Sequence, residues 1–152
     1  MHRRDVEEQR DTIRHAGGIP PLVAMLAGSS HGGNSLPAVE AAAATALTWV
    51  AKTSERNRTA IRVAGGIPPL VQMAAVGVRG GSMTAKMVET KNLYVSTMKN
   101  LSTGSDTANQ DAVREAGGVP LLVELMKQGA DSNDACDAVS SLRHLTVNNA
   151  AN

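Results

Sequence analysis

The sequence predicts an all-α fold made of helical repeats set side by side, an α-solenoid of one domain. The first observation is a repeated stretch: Ala16-Gly17-Gly18-Ile19-Pro20-Pro21-Leu22-Val23 returns unchanged from Ala64 to Val71, and as AGGVPLLV from Ala116 to Val123. The copies start 48 and 52 residues apart, a period that suits helical solenoids once loop insertions are allowed. The second is spacing, since apolar residues around each copy recur at i, i+3, i+4 and i+7, which lines one face of a helix. The third is the core inventory. With no Phe, one Tyr (Tyr94) and one Trp (Trp49), the interior falls to Leu, Val, Ile, Met and Ala, which suit closely packed helices.

Each element follows from local chemistry. Residues 1–14 mix Asp5, Glu7, Glu8 and Asp11 with Arg3, Arg4, Arg10 and Arg14, so they predict a mostly solvated helix with Val6, Thr12 and Ile13 inward. Gly17-Gly18 ends it, because glycine reaches the left-handed conformation without a Cβ clash. Pro20 and Pro21 then suit a first helical turn, where a missing N–H costs nothing. Ile19, Leu22, Val23 and Leu26 give that second helix its buried stripe. Residues 27–37 (AGSSHGGNSLP) lack periodicity and predict a loop. A third helix over 38–52 is expected to turn Val39, Ala43, Ala46, Leu47 and Val50 inward.

The order then repeats. A short helix over 57–63, the Gly65-Gly66 corner and a helix from Pro68 to about Ala75 precede a loop containing Gly77, Gly80 and Gly81. A longer helix over 84–102 is expected to bury Val88, Tyr94, Val95, Met98, Leu101 and the stem of Lys91. The last copy predicts helices over 106–115, 120–128 and 134–146, a loop at 129–132 and a polar tail over 147–152. The repeat units are therefore about 9–52, 57–103 and 109–146.

The bulk chemistry excludes several classes. Fifteen Lys plus Arg against fourteen Asp plus Glu leaves a formal charge of +1, so no global field selects nucleic acid or an anionic membrane. Neither specific nucleic-acid binding nor membrane insertion is expected. One cysteine, Cys136, excludes an intramolecular disulfide. With no signal peptide and no apolar run of about 18 residues, this favours a reducing intracellular compartment, cytoplasmic or nuclear.

A short helix, a Gly-Gly corner, an Ile-Pro-x-Leu-Val helix and a third helix together resemble the armadillo repeat, over nearly the whole chain. HEAT units, the competing pattern, usually lack the corner and the third helix. The resemblance implies a right-handed superhelix whose third helices line a concave groove for an extended peptide or partner segment. Repeat stacking gives an independent reason, because units that bury their sides against one another turn a row of helices into a continuous surface.

In the importin-alpha branch of that family, a Trp and an Asn four residues later on each third helix clamp the bound peptide. Here the Trp slot falls on Thr45, Ser96 and Ser140, and the Asn slot on Trp49, Asn100 and His144. Only Asn100 matches, so the Trp cages for lysine side chains are absent, against an import adaptor of the usual kind. Asn100 is either a peptide main-chain contact or a solvated or intrahelical polar residue. Trp49 is either an interface anchor or partial core over Ala42, Ala46 or the next repeat. Lys99 and Arg143 share the slot before Asn100 and His144, and either favour an acidic partner or form a solvated face.

Nothing in the sequence assembles an active site. His144 and Cys136 stand eight residues apart on one helix, about 12 Å at 1.5 Å per residue, too far for a dyad. His2, His15, His31 and His144 lack metal-ligand spacing, and Gly77-Val78-Arg79-Gly80-Gly81-Ser82 lacks the Gly-Lys-Ser/Thr ending of a phosphate loop. The expectation is a non-enzymatic scaffold for a protein or peptide, with no cofactor or metal. The alternative is an assembly module or part of a longer repeat protein. Val139, Leu142 and Leu145 would then form a C-terminal face for self-association.

Overall fold

The structure, a computed structural model, describes residues 3–28, 37–52, 54–79, 85–104, 106–127 and 133–147, with side chains described for 7–28, 38–52, 54–76, 91–104, 106–127 and 135–147. The described residues form helices and turns, without a strand. The helices are α1 (Arg3–His15), α2 (Ile19–Ala27), α3 (Pro37–Ala51), α4 (Glu55–Val63), α5 (Ile67–Arg79), α6 (Ala85–Ser102), α7 (Thr107–Glu115), α8 (Gly118–Lys127) and α9 (Asn133–Thr146). They pack in three rows: α1, α4, α7; then α2, α5, α8; then α3, α6, α9. This is an all-α solenoid.

The corner between the first two helices of each copy explains both glycines. Gly17, Gly65 and Gly117 have φ of +71°, +76° and +84°. In the second copy the Gly66 amide donates to the Ile61 carbonyl at 2.9 Å and the Gly65 amide to the Arg62 carbonyl at 2.9 Å. Those two bonds satisfy carbonyls that the helix end would otherwise orphan. The second glycine is needed for space, since a Cβ on Gly66 would lie 2.8 Å from Ile61 Cγ2. The chain turns by 83° between α4 and α5.

Neighbouring copies are tied by polar contacts that also repeat. Arg14 Nε donates to Asn57 Oδ1 at 2.9 Å, and Arg62 Nε to Asn109 Oδ1 at 2.9 Å. Ser54 Oγ donates to Asp11 Oδ1 at 3.0 Å, and Thr59 Oγ1 to Asp106 Oδ2 at 2.8 Å. Ser54 and Asp106 are also the N-caps of α4 and α7. Asn57 Nδ2 and Arg58 Nη1 donate to the Val50 and Ala51 carbonyls at 3.2 and 3.1 Å, closing the end of α3.

Several expectations need correction. Thr12 is exposed and its hydroxyl donates to the Glu8 carbonyl at 2.8 Å, so the inward residue there is Ile13. Val39 is exposed, while Glu40, Ala43, Ala44, Leu47 and Val50 are buried. An alanine-rich helix marks its inner face poorly, because alanine fits either side. Helix α5 runs through Gly77 to Arg79, into the stretch expected to be a loop, because one glycine does not stop a helix that has tertiary support. The side chain of Val88, most of the 27–37 loop, residues 80–84 and most of the 147–152 tail lie outside what is described.

Among the described residues no single helix is long and apolar enough to cross a membrane. Only α4 and the start of α5 pass that test together, as a bent pair, and their residues Ile61, Ile67, Leu70 and Ala74 are buried against other helices.

Candidate partner-binding ladder

Helix α6 packs on α3 and on α9, which brings the three third helices into one row. Three polar contacts set their register. The Thr48 and Thr97 hydroxyls hydrogen-bond each other, and Asn100 Nδ2 donates to the Thr48 carbonyl at 3.4 Å. Lys99 Nζ meets Asp137 Oδ1 at 2.7 Å. The slots read from the sequence therefore lie on adjacent helices. Thr45, Ser96 and Ser140 occupy the first, with Thr45 exposed and the two serines half-buried. Trp49, Asn100 and His144 occupy the second, with Trp49 exposed to 37% and the other two half-buried.

The individual side chains are partly committed. Thr45 Oγ1 donates to its own helix at Ala41 O, 2.7 Å away. Trp49 lies beneath the Arg10 guanidinium, whose carbon sits 4.8 Å from the ring centroid. With the cation buried and the ring half open, such a contact contributes on the order of 1 kcal/mol and holds the indole in place. Lys99 is joined to Asp137, so Arg143, which is exposed, is the less encumbered cation of that slot. Asn100 presents its Nδ2 to α3, which leaves its carbonyl oxygen as the natural acceptor for a partner's N–H.

Sequence reasoning missed Arg10 and Asp137. Arg10 was legible in part, since it occupies the place of Arg58 and Gln110 in the other copies, all three buried. Asp137 was not, because its pairing spans 38 residues and two repeats. Among the described residues no three His, Cys, Asp or Glu side chains group to hold a metal, and Cys136 is exposed.

At the α9 end of the ladder, Arg143 and Lys99 act on His144. His144 is held below its usual 6.5, first by partial burial of the ring and then by Arg143 and Lys99. An NMR titration is expected to find its midpoint below 6.5, and Arg143→Gln should move that midpoint upward. The unfolded ring takes up its proton at the ordinary pKa while the folded ring resists. The stability from this group is therefore complete above pH 6.5 and is lost as pH falls toward the folded midpoint. A midpoint at or above 6.5 would show that the two cations do not reach the imidazole.

Comparison with known proteins agrees with this architecture. The family model for the Armadillo/beta-catenin-like repeat matches residues 106–147, the third copy. A crystal structure of an engineered protein from the Northeast Structural Genomics Consortium superposes with a TM-score of 0.73 at 26% identity, over 91% of this chain and 49% of that one. The chain thus spans about half the length of that structure. A search of curated proteins returns no match. Three copies of one corner motif, the three helical rows and the match on the third copy lead to one conclusion: this chain is an armadillo-like repeat protein.

Proposed function

We propose that the chain is a protein-interaction scaffold whose α3, α6 and α9 ladder holds an extended segment of a partner protein. Armadillo repeats generally mediate protein binding, and the observation that carries the reading here is the matched ladder itself. Two slots recur on three adjacent helices and keep Thr45, Trp49, Ser96, Asn100, Ser140 and His144 at least partly accessible. Trp49, steadied by Arg10, supplies an apolar plate for a side chain, and Asn100 supplies a main-chain acceptor. Arg143, exposed beside the neutral His144 ring, supplies a positive charge toward the α9 end, which favours an acidic residue in the partner there.

Peptides selected from a displayed random library provide the test. Trp49 is the sole tryptophan, so its fluorescence reports directly on whether a selected peptide reaches the ladder. Asn100→Ala is expected to weaken binding at least about tenfold, equivalent to ~1.4 kcal/mol, with the fold kept. Trp49→Ala should weaken it similarly. Affinities unchanged in both variants would move the binding surface elsewhere.

A further inference from the structure

Comparison of the three copies at matched positions separates the two ends of the row. Val23 and Val71 are 5% and 4% exposed, whereas Val123 in the same place is 39% exposed. Leu26 and Ala74 are buried and Met126 is exposed; Ala44 and Val95 are buried and Val139 is exposed. Of the residues expected to form a C-terminal face, Leu145 is buried and Leu142 half-buried, which leaves Val139 as the exposed one. The opposite gradient marks the other end. Met25 is 48% exposed, Met73 is half-buried and Leu125 is 1% exposed. Pro21 and Gln9 are exposed, while their counterparts Pro69, Leu121, Asn57 and Asn109 are buried.

The internal joints show what mates with what. Val23 sits against Gly66, close enough that a Cβ there would be 3.0 Å from Val23 Cγ2. Arg14 and Arg62 each donate to an amide oxygen of the next copy. Carried over to two chains, Val123 of one meets Gly18 of the other, and Arg114 faces the Gln9 amide. The Arg114 ion pair with Asp111, at 3.0 Å, is compatible with this. Arg14 stands 3.8 Å from Asp11 while its Nε serves Asn57.

We propose that the face bearing Val123, Met126 and Val139 docks the Gly18, Met25 and Gln9 face of a second copy of this chain, head to tail, in the register of the internal joints. The chain carries both halves of the joint, which is the argument for a second copy as occupant. One tie is missing: Arg143 takes the place of Lys99, but Ala42 stands where Asp137 would be needed. The association is therefore weaker than an internal joint and reversible. Because the two faces differ, each added copy presents a fresh one, and growth is open-ended rather than closed at a dimer.

Sedimentation velocity of the full chain across concentration tests this, with Val123→Asp and Met25→Asp as variants. Both side chains are exposed, so both variants should keep the wild-type circular dichroism, and the wild-type melting curve at dilutions where the wild type is monomeric. Wild type is expected to form a concentration-dependent series of oligomers, and each variant alone to stay monomeric. An equimolar mixture of the two should form dimers only, since it retains one intact face of each kind. A wild-type chain that stays monomeric at the highest soluble concentration overturns the proposal. So does a Met25→Asp variant that still self-associates, or a mixture that remains monomeric. Asn100→Ala should leave the oligomer series unchanged, which keeps this surface distinct from the ladder.

Discussion

Replacing Tyr94 with alanine is expected to destabilise the protein by about 3–5 kcal/mol, the usual cost of deleting a fully buried large side chain. Tyr94 is buried in α6, the helix that packs on α3, α5 and α9 at once. Its counterparts on α3 and α9 are Ala43 and Ala138, so the ring fills volume in the middle copy that its neighbours leave open. For a chain of this size the loss corresponds to a melting temperature lower by roughly 10 °C. A thermal melt showing a drop of only a degree or two would mean that the surrounding helices collapse into the gap.

The companion variant Tyr94→Phe should behave in the opposite sense. The Tyr94 hydroxyl is buried without a hydrogen-bond partner among the described residues, and an unpaired buried polar group costs about 1–3 kcal/mol of desolvation. Phenylalanine keeps the ring and drops that cost, so its melting temperature should equal or exceed the wild type. The same burial, reinforced by Glu40, pushes the phenol up to about 12. An unfolded phenol ionises near its ordinary 10, so stability from this group is present below pH 10 and is lost as pH rises from there to about 12. With one tyrosine in the chain, phenolate absorbance reads this directly.

Gly66→Ala carries the second large effect, expected at about 2–3 kcal/mol. The added Cβ would stand 2.8 Å from Ile61 Cγ2, 3.1 Å from the Ile61 carbonyl and 3.0 Å from Val23 Cγ2. Relief would have to move a buried side chain on the same copy and another on the copy before it. Gly17→Ala offers the contrast, since a Cβ there meets nothing within 4 Å and the cost is only that of holding alanine at φ +71°, about 1 kcal/mol. Repeating Gly66→Ala in a Val23→Ala background should shrink its penalty by at least ~0.5 kcal/mol, the sign of a shared contact. An unchanged penalty would place the whole clash within the corner and remove Gly66 from the joint between copies.

The two glycines illustrate what could be read in advance. Gly17, Gly65 and Gly117 announce a helix end because few other residues tolerate positive φ, and the prolines that follow announce a start, so corner and helix boundaries were legible. The three-row packing was legible too, once the corner was seen three times. Within α3 the spacing predicts Val39 inward, yet Val39 is exposed and burial passes through Glu40, Ala43 and Ala44. Along α5 the glycines predict a loop from Gly77, whereas the helix continues to Arg79, since one glycine weakens a helix without ending it.

For the candidate ladder, the slots could be aligned from the sequence, but their surroundings could not. Nothing local in either helix signals that Arg10 covers Trp49 or that Lys99 is engaged by Asp137. The same limit applies to the end faces, where Val23, Val71 and Val123 are identical residues at the same place in closely similar motifs.

The sequence by itself determined the helical repeat, its corners and its family resemblance, because those depend on backbone conformation and periodicity within a few turns of chain. Only the tertiary structure decided which copy of a repeated residue is covered, which cation is engaged and which face of the alanine-rich helix points inward. Those outcomes depend on neighbours some 40 to 50 residues away, as in the Arg14 to Asn57 and Arg62 to Asn109 bonds, and identical local sequences cannot encode them separately.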